Sequence, residues 1–189
     1  MKFSSKKFFF VRHAESLWNA QNLCQGRADI DISPKGLNDA RAFAKQVAKM
    51  PIYQIFTSPL KRALHTATII KEYHPEAGFS ILEELSERDW GSLTGMPSEE
   101  MYRIETLEEK ELEPLLDPSI ESRKALQERV TQGLHKAFEK HEEPLLVSHG
   151  RLFVTLCEVL GTPLIRQIPN LSLIEFTYIS GQWHMRSIE

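Results

Sequence analysis

The chain is poor in cysteine, in long apolar runs and in charge of one sign. Cys24 and Cys157 are its only cysteines. They are too few and too far apart for a disulfide framework and fit a reducing cytoplasm, although a single bridge between them stays open. No apolar stretch approaches the roughly 18 to 20 residues of a membrane span. The run Phe8-Phe9-Phe10-Val11 after Lys6 and Lys7 is too short for the core of a secretory signal. A formal net charge of −3 supplies no basic field for nucleic acid or an anionic membrane surface. Repeats, low-complexity tracts and linker-like segments are missing too. These absences predict a cytoplasmic protein with neither a nucleic-acid nor a membrane partner.

What is present is an ordinary globular composition, 41% apolar and 26% charged, at a length that supports one substantial core. Residues 1–189 are therefore expected to form a single domain. Strand and helix patterns alternate, which predicts an α/β fold: a three-layer α/β/α sandwich around a mostly parallel central sheet. Residues 7–11 read as the first strand. Ser33 is placed to cap a helix with Pro34 at its first position. Leu37, Ala40, Ala44, Val47 and Ala48 share one face of that helix, and Pro51 ends it.

Residues 52–57 are the next expected strand, and a second helix starts at Ser58-Pro59 and runs to about Tyr73. Ile81-Leu82 closes a short strand. From about 90 to 118 the apolar periodicity is poor. Pro97, Pro114 and Pro118 interrupt it, and acids dominate, among them Glu99, Glu100, Glu105, Glu108, Glu111, Glu113 and Asp117. This insertion reads either as a lid over a site or as a solvated surface segment. A long helix from about Ser119 to Lys140, a strand at 145–147 and a helix from Arg151 to Leu160 follow. Residues 171–179 and 182–188, divided by Ser180-Gly181, form a terminal hairpin.

Three of the expected strands end in basic or titratable residues. The first delivers Arg12-His13-Ala14-Glu15-Ser16, the second Thr57-Ser58-Pro59-Leu60-Lys61-Arg62, and the third Ser148-His149-Gly150-Arg151. Ligands of open α/β sheets sit beyond the carboxyl ends of the strands, so these residues mark an anion site. Phosphoryl transfer needs fixed donors around three charged oxygens. Arg12 and Arg62 suit that task because a guanidinium donates in a planar fork and stays charged. A helix starting near Ser58 would add amide donors and a favourable dipole. Neutral imidazole is a nucleophile at cytosolic pH, and the cation of Arg12 disfavours protonation of His13.

Further segments carry a resemblance. Arg12-His13-Ala14-Glu15-Ser16 resembles the Arg-His-Gly-Glu signature of the histidine phosphatase superfamily, branch 1, which includes phosphoglycerate mutases. Asn19 and Gln25-Gly26 follow at the family's spacing, and Asp31-Ile32-Ser33-Pro34-Lys35-Gly36 resembles its helix start. Ser58-Pro59-Leu60-Lys61-Arg62-Ala63 with Thr66-Ala67 is similar to its second arginine motif. Glu84-Leu85-Ser86-Glu87 with Trp90-Gly91 and Leu93-Thr94-Gly95 is similar to its proton-donor motif, and Ser148-His149-Gly150 to its second-histidine motif. The similarity spans roughly residues 7–180.

The resemblance implies a phosphoglycerate mutase-like fold, phosphorylation of His13, and phosphoryl binding by Arg12, Arg62 and His149 with support from Asn19. Glu87 would protonate the leaving oxygen and then activate water. Gln25, Gly26 and Gly150 would contact substrate. Ser16 is read either as a donor to phosphate or as a cap of its loop, and Arg151 either as a ligand for a second acidic group or as a surface residue. Ala14 stands where the family has glycine, so no positive φ is expected there. His65, His74, His135, His141 and His184 lie outside every motif.

The expected function is a phosphatase of a small phosphorylated metabolite that needs no cofactor or metal. A phosphoglycerate mutase is the runner-up, supported by the mutase-like segment Arg88-Asp89-Trp90-Gly91-Ser92-Leu93-Thr94-Gly95. The modest insertion and the early end after the last strand favour access of water. A silent phospho-ligand binder would be expected to lack His13 or Glu87. A metal hydrolase lacks a third ligand beside His13 and His149.

Overall fold

A computed structural model describes residues 7–109, 117–139 and 143–188. Six strands form one sheet: β1 (Lys7–Arg12), β2 (Gln54–Thr57), β3 (Gly78–Ile81), β4 (Leu145–Ser148), β5 (Leu173–Ile179) and β6 (Gln182–Ile188). Their order is β3-β2-β4-β1-β5-β6. The pairs β2–β3, β2–β4 and β1–β4 are parallel, whereas β1–β5 and β5–β6 are antiparallel. Helices α1 (Pro34–Val47), α2 (Lys61–Glu72), α3 (Ser98–Glu109), α4 (Arg123–Phe138) and α5 (Gly150–Leu160) accompany it.

The strands read as continuous apolar runs because both faces of the sheet are covered. Along β1, Phe9 and Val11 pack with Ala40, Ala44 and Val47 of α1 and Ala67 and Ile70 of α2. Phe8 and Phe10 pack with Leu126, Val130 and Leu134 of α4 and Phe153 and Leu156 of α5. Phe8 stacks on Phe176 of β5, with ring centroids 4.6 Å apart. This is the expected three-layer α/β/α arrangement, with a core on each side of the sheet.

Local chemistry sets the boundaries. Ser33 caps α1, its side chain accepting from the Gly36 amide at 2.9 Å. Gly36 is required there because a Cβ would lie 2.1 Å from the carbonyl oxygen of Glu15. Ser122 caps α4, and Ser180 and Gly181 both take positive φ between β5 and β6, the signature of a type I′ hairpin turn.

Two expectations change. The second helix starts at Lys61, not at Ser58, and the Lys61 amide is taken by Asp29 Oδ1 at 2.8 Å. That amide is therefore not held for an anion. The acidic insertion contains a helix, α3, whose inward face carries charge as well as apolar groups. Ile104, Glu105 and Glu108 are buried together, with Met101 and Leu107 partly buried beside them. Two glutamates on the packed face erase the apolar period that would have announced a helix. Glu111, Glu113 and Pro114 of the insertion, and the Lys140-His141 region after α4, lie outside the described residues.

Candidate active site

The register of the parallel strands assembles the site. Arg12 of β1 pairs with Ser148 of β4, so His13 and His149 emerge side by side one residue further on. Their ring centroids are 5.1 Å apart. The next strand over, β2, ends at Thr57, and the Ser58 amide donates to Val147 O. From there α2 carries Arg62 to the same place. Arg12, His13, Asn19, Gln25, Gly26, Arg62, Glu87 and Gly150 all line one cavity of about 430 Å³.

His13 is buried. Its Nδ1 lies 2.7 Å from the carbonyl oxygen of Ala14, which can only accept, so in the neutral ring Nδ1 carries the proton and Nε2 keeps its lone pair. Burial first, then the charges of Arg62 and Arg12, hold the His13 pKa well below the usual imidazole value. His149 is held low in the same way by burial and by Arg62, His13 and Arg12. Its Nε2 shares a 2.8 Å hydrogen bond with Ser58 Oγ. Ala14 does not take positive φ; its amide donates to Thr66 Oγ1, which donates to Arg62 O.

Both arginines are anchored by their terminal nitrogens. Arg62 donates from Nη1 to Ala28 O and from Nη2 to Gly26 O, each at 2.8 Å, and Arg12 donates from Nη1 to Ile168 O. Burial lowers the Arg62 pKa to about 10 and also lowers that of Arg12. The Nε groups of Arg12 and Arg62 and the Nδ1 of His149 are buried with no protein partner. Unpaired buried donors are costly, and an oxyanion would satisfy the two guanidinium N–H groups directly.

Glu87 approaches from the 3-10 turn Glu83–Leu85 and sits at the start of α5. Its carboxylate accepts from the amides of Arg88 and Leu152 at 3.0 Å and of Arg151 at 3.1 Å. Arg129 holds this segment by donating to the carbonyls of Glu84, Ser86 and Glu87. At the start of α2 the Lys61 amide is committed to Asp29, whereas at the start of α5 the Arg151 and Leu152 amides go to the candidate acid.

Of the two readings of Ser16, the structure shows the loop cap. Ser16 is fully buried, does not line the cavity, accepts from the Asn19 amide and bonds Gln25 Oε1 at 2.6 Å. Asn19 is fixed in turn, its Oδ1 accepting from the Ser16 amide. Gly26 is at φ +49°, and a Cβ there would crowd Trp90 N at 3.2 Å, which suits the carbonyl it offers to Arg62. Gly150 packs under the guanidinium of Arg12.

Sequence reasoning missed several neighbours. Asn170 donates from Nδ2 to His13 O at 2.8 Å, and it comes from a connection with no periodicity to flag it. Glu105 and Tyr102 of α3 and Arg166 also line the cavity. Glu105 is one acid in an acidic run, and only its burial singles it out. The insertion is anchored over the site: buried Arg88 makes a two-pronged ion pair with Glu108 of α3 and lies over the Trp90 ring, 4.4 Å from its centroid. Cys24, another wall residue, is a free thiol that burial pushes up to about 12, so it is no nucleophile. Among the described residues no cluster of three or more His, Cys, Asp or Glu is arranged to hold a metal, and no helix is long and apolar enough to cross a membrane.

The family model for the histidine phosphatase superfamily (branch 1) matches residues 8–189. A Bacillus subtilis protein named an uncharacterized phosphatase, PhoE, is 32% identical over 93% of this chain and 90% of its own length. A probable phosphoglycerate mutase, GpmB, of Serratia proteamaculans is 31% identical over 93% of this chain and 86% of its own. The crystal structure of a Bacillus anthracis phosphoglycerate mutase shares the fold with a TM-score of 0.81 at 21% identity, covering 97% of this chain and 93% of that one. This chain belongs to the histidine phosphatase superfamily, branch 1, and is a phosphatase or a mutase of that family.

Proposed function

We propose that the protein is a metal-independent phosphatase that hydrolyses a small phosphorylated metabolite through a phosphohistidine on His13. The observation that carries this reading is the set of buried, unpartnered Nε groups of Arg12 and Arg62 around an imidazole whose Nδ1 is tied to Ala14 O. Nε2 of His13 attacks phosphorus, and the bond to the ester oxygen breaks as Glu87 gives that oxygen a proton. Water then attacks the phosphohistidine while Glu87 takes a proton from it, returning both residues to their starting forms. Arg12, Arg62 and His149 surround the transferring group, and Asn19, Gln25, Gly26 and Gly150 complete the binding wall. Ser16 acts through Asn19 and Gln25.

Hydrolysis is favoured over return of the phosphoryl group to a second substrate oxygen by the open rim of the cavity, where Tyr102 is 41% exposed. The mutase reading rests on the segment 88–95 and on the mutase names carried by several relatives. The test is hydrolysis of p-nitrophenyl phosphate in EDTA, with an alkaline quench to trap phosphohistidine. It is run beside an assay for conversion of 3- to 2-phosphoglycerate. Phosphate release with label on His13 supports the proposal. A metal requirement, or isomerisation faster than release, overturns it.

A further inference from the structure

Three charged side chains in the cavity wall, Arg151, Glu105 and Arg166, have no part in the phosphoryl chemistry, and the first two are paired with each other. Arg151, in the first turn of α5, and Glu105, on α3, form an ion pair with Nε and Oε1 3.1 Å apart, and their side chains are only 10% and 11% exposed. Both line the cavity that contains His13. The pair adjoins the reacting groups, since the amide of Arg151 donates to Glu87. Burial pushes the Glu105 carboxyl above the usual carboxylate range, and Arg151 is the largest influence opposing it. Arg88, the next cation that Glu105 feels, is committed to Glu108.

Because Arg151 adjoins Glu87, the proposed donor to the leaving oxygen, a phosphorylated substrate seated at His13 would have its organic part beside this wall. A carboxylate alone would draw Arg151 away and leave Glu105 buried without its main cation, and an uncompensated buried charge is costly. An ammonium alone would strand Arg151 in the same way. A group bearing both charges satisfies both residues at once, its carboxylate on the guanidinium and its ammonium on the carboxylate.

We propose, resting on the phosphatase reading above, that the Arg151–Glu105 pair selects phosphomonoesters of a zwitterionic alcohol, that is, hydroxy-amino acids phosphorylated on their side-chain oxygen. Arg151 takes the α-carboxylate and Glu105 the α-ammonium.

The test is calorimetric binding to the wild-type protein of three phosphonates that cannot be hydrolysed: 2-amino-4-phosphonobutanoate, 4-phosphonobutanoate and 3-aminopropylphosphonate. The zwitterion is expected to bind about tenfold tighter than either singly charged relative, the equivalent of about 1.4 kcal/mol. In Glu105→Gln its advantage over 4-phosphonobutanoate should shrink to about twofold or less. Equal binding of the amine-free compound to wild type overturns the selectivity whatever the variant does. Hydrolysis of p-nitrophenyl phosphate and O-phosphoserine by wild type separates the two claims. Turnover of the first without a zwitterion preference sinks the selectivity alone. A zwitterion preference with no turnover of either ester sustains the selectivity and sinks the phosphatase reading.

Discussion

His13 and His149 leave two paired parallel strands at the same step of the register, and their rings lie 5.1 Å apart. Both are buried beside the guanidinium groups of Arg62 and Arg12, so folding lowers the proton affinity of both imidazoles well below the ordinary value of 6.5. As the pH falls below about 6.5, the unfolded chain therefore takes up protons that the native chain refuses. The contribution of these groups to stability is full above that pH and declines beneath it. Urea unfolding at a series of pH values should show this acid-side loss, and ring ¹⁵N shifts should show both imidazoles still neutral at pH 6. Titration of His13 near 6.5 would contradict the buried, cation-flanked setting.

Glu87 provides a second test through the leaving group. Glu87→Gln keeps one acceptor oxygen, which serves the Leu152 and Arg88 amides that share Oε1 but not the Arg151 amide on Oε2, and it has no proton to give. Loss of general-acid catalysis costs about 10²–10⁴-fold. The loss in phosphorylation rate should be large for an alkyl phosphate, whose alkoxide is a poor leaving group, and much smaller for p-nitrophenyl phosphate. Single-turnover kinetics with both esters checks this. Equal losses would mean that Glu87 acts through position alone.

The strand ends were legible because a fully covered parallel strand is written as an uninterrupted apolar run. The switch to Arg12-His13 or Ser148-His149 marks where the backbone leaves the sheet. Caps such as Ser33 were legible for the same local reason. What stayed hidden depends on tertiary context. The face of α3 is buried through Glu105 and Glu108, whose partners Arg151 and Arg88 are distant in sequence. No period within 98–109 can announce such a face. The helix α2 starts at Lys61 rather than at Ser58 because Ser58, which offers cap chemistry, spends its hydroxyl on Leu60 N and His149.

The Arg88–Glu108 pair makes a stability prediction. Both side chains are almost completely buried, and Arg88 also lies over Trp90. Glu108→Ala leaves the guanidinium without its counter-charge and should cost about 3–5 kcal/mol in urea unfolding. The double variant Arg88→Met/Glu108→Leu removes both charges and should recover most of that loss. A non-recovering double variant would place the contribution in Arg88 packing on Trp90 and its bond to Glu121 O rather than in the charge pair.

Arg62→Lys separates charge from geometry at the phosphoryl group. The arginine fastens its two terminal nitrogens to Ala28 O and Gly26 O and leaves Nε–H unpaired. A lysine keeps a positive charge but gathers its donors at one point. It cannot hold the 26–28 loop from the same position and also present an N–H along the shaft. A missing preorganised donor to developing charge costs about 10²–10³-fold, so kcat/KM for p-nitrophenyl phosphate should fall by that order. Binding of vanadate, a mimic of the five-coordinate state, should weaken in proportion. If Arg62→Lys retains near-wild-type activity, only the charge matters there, and the two carbonyl anchors are incidental to catalysis.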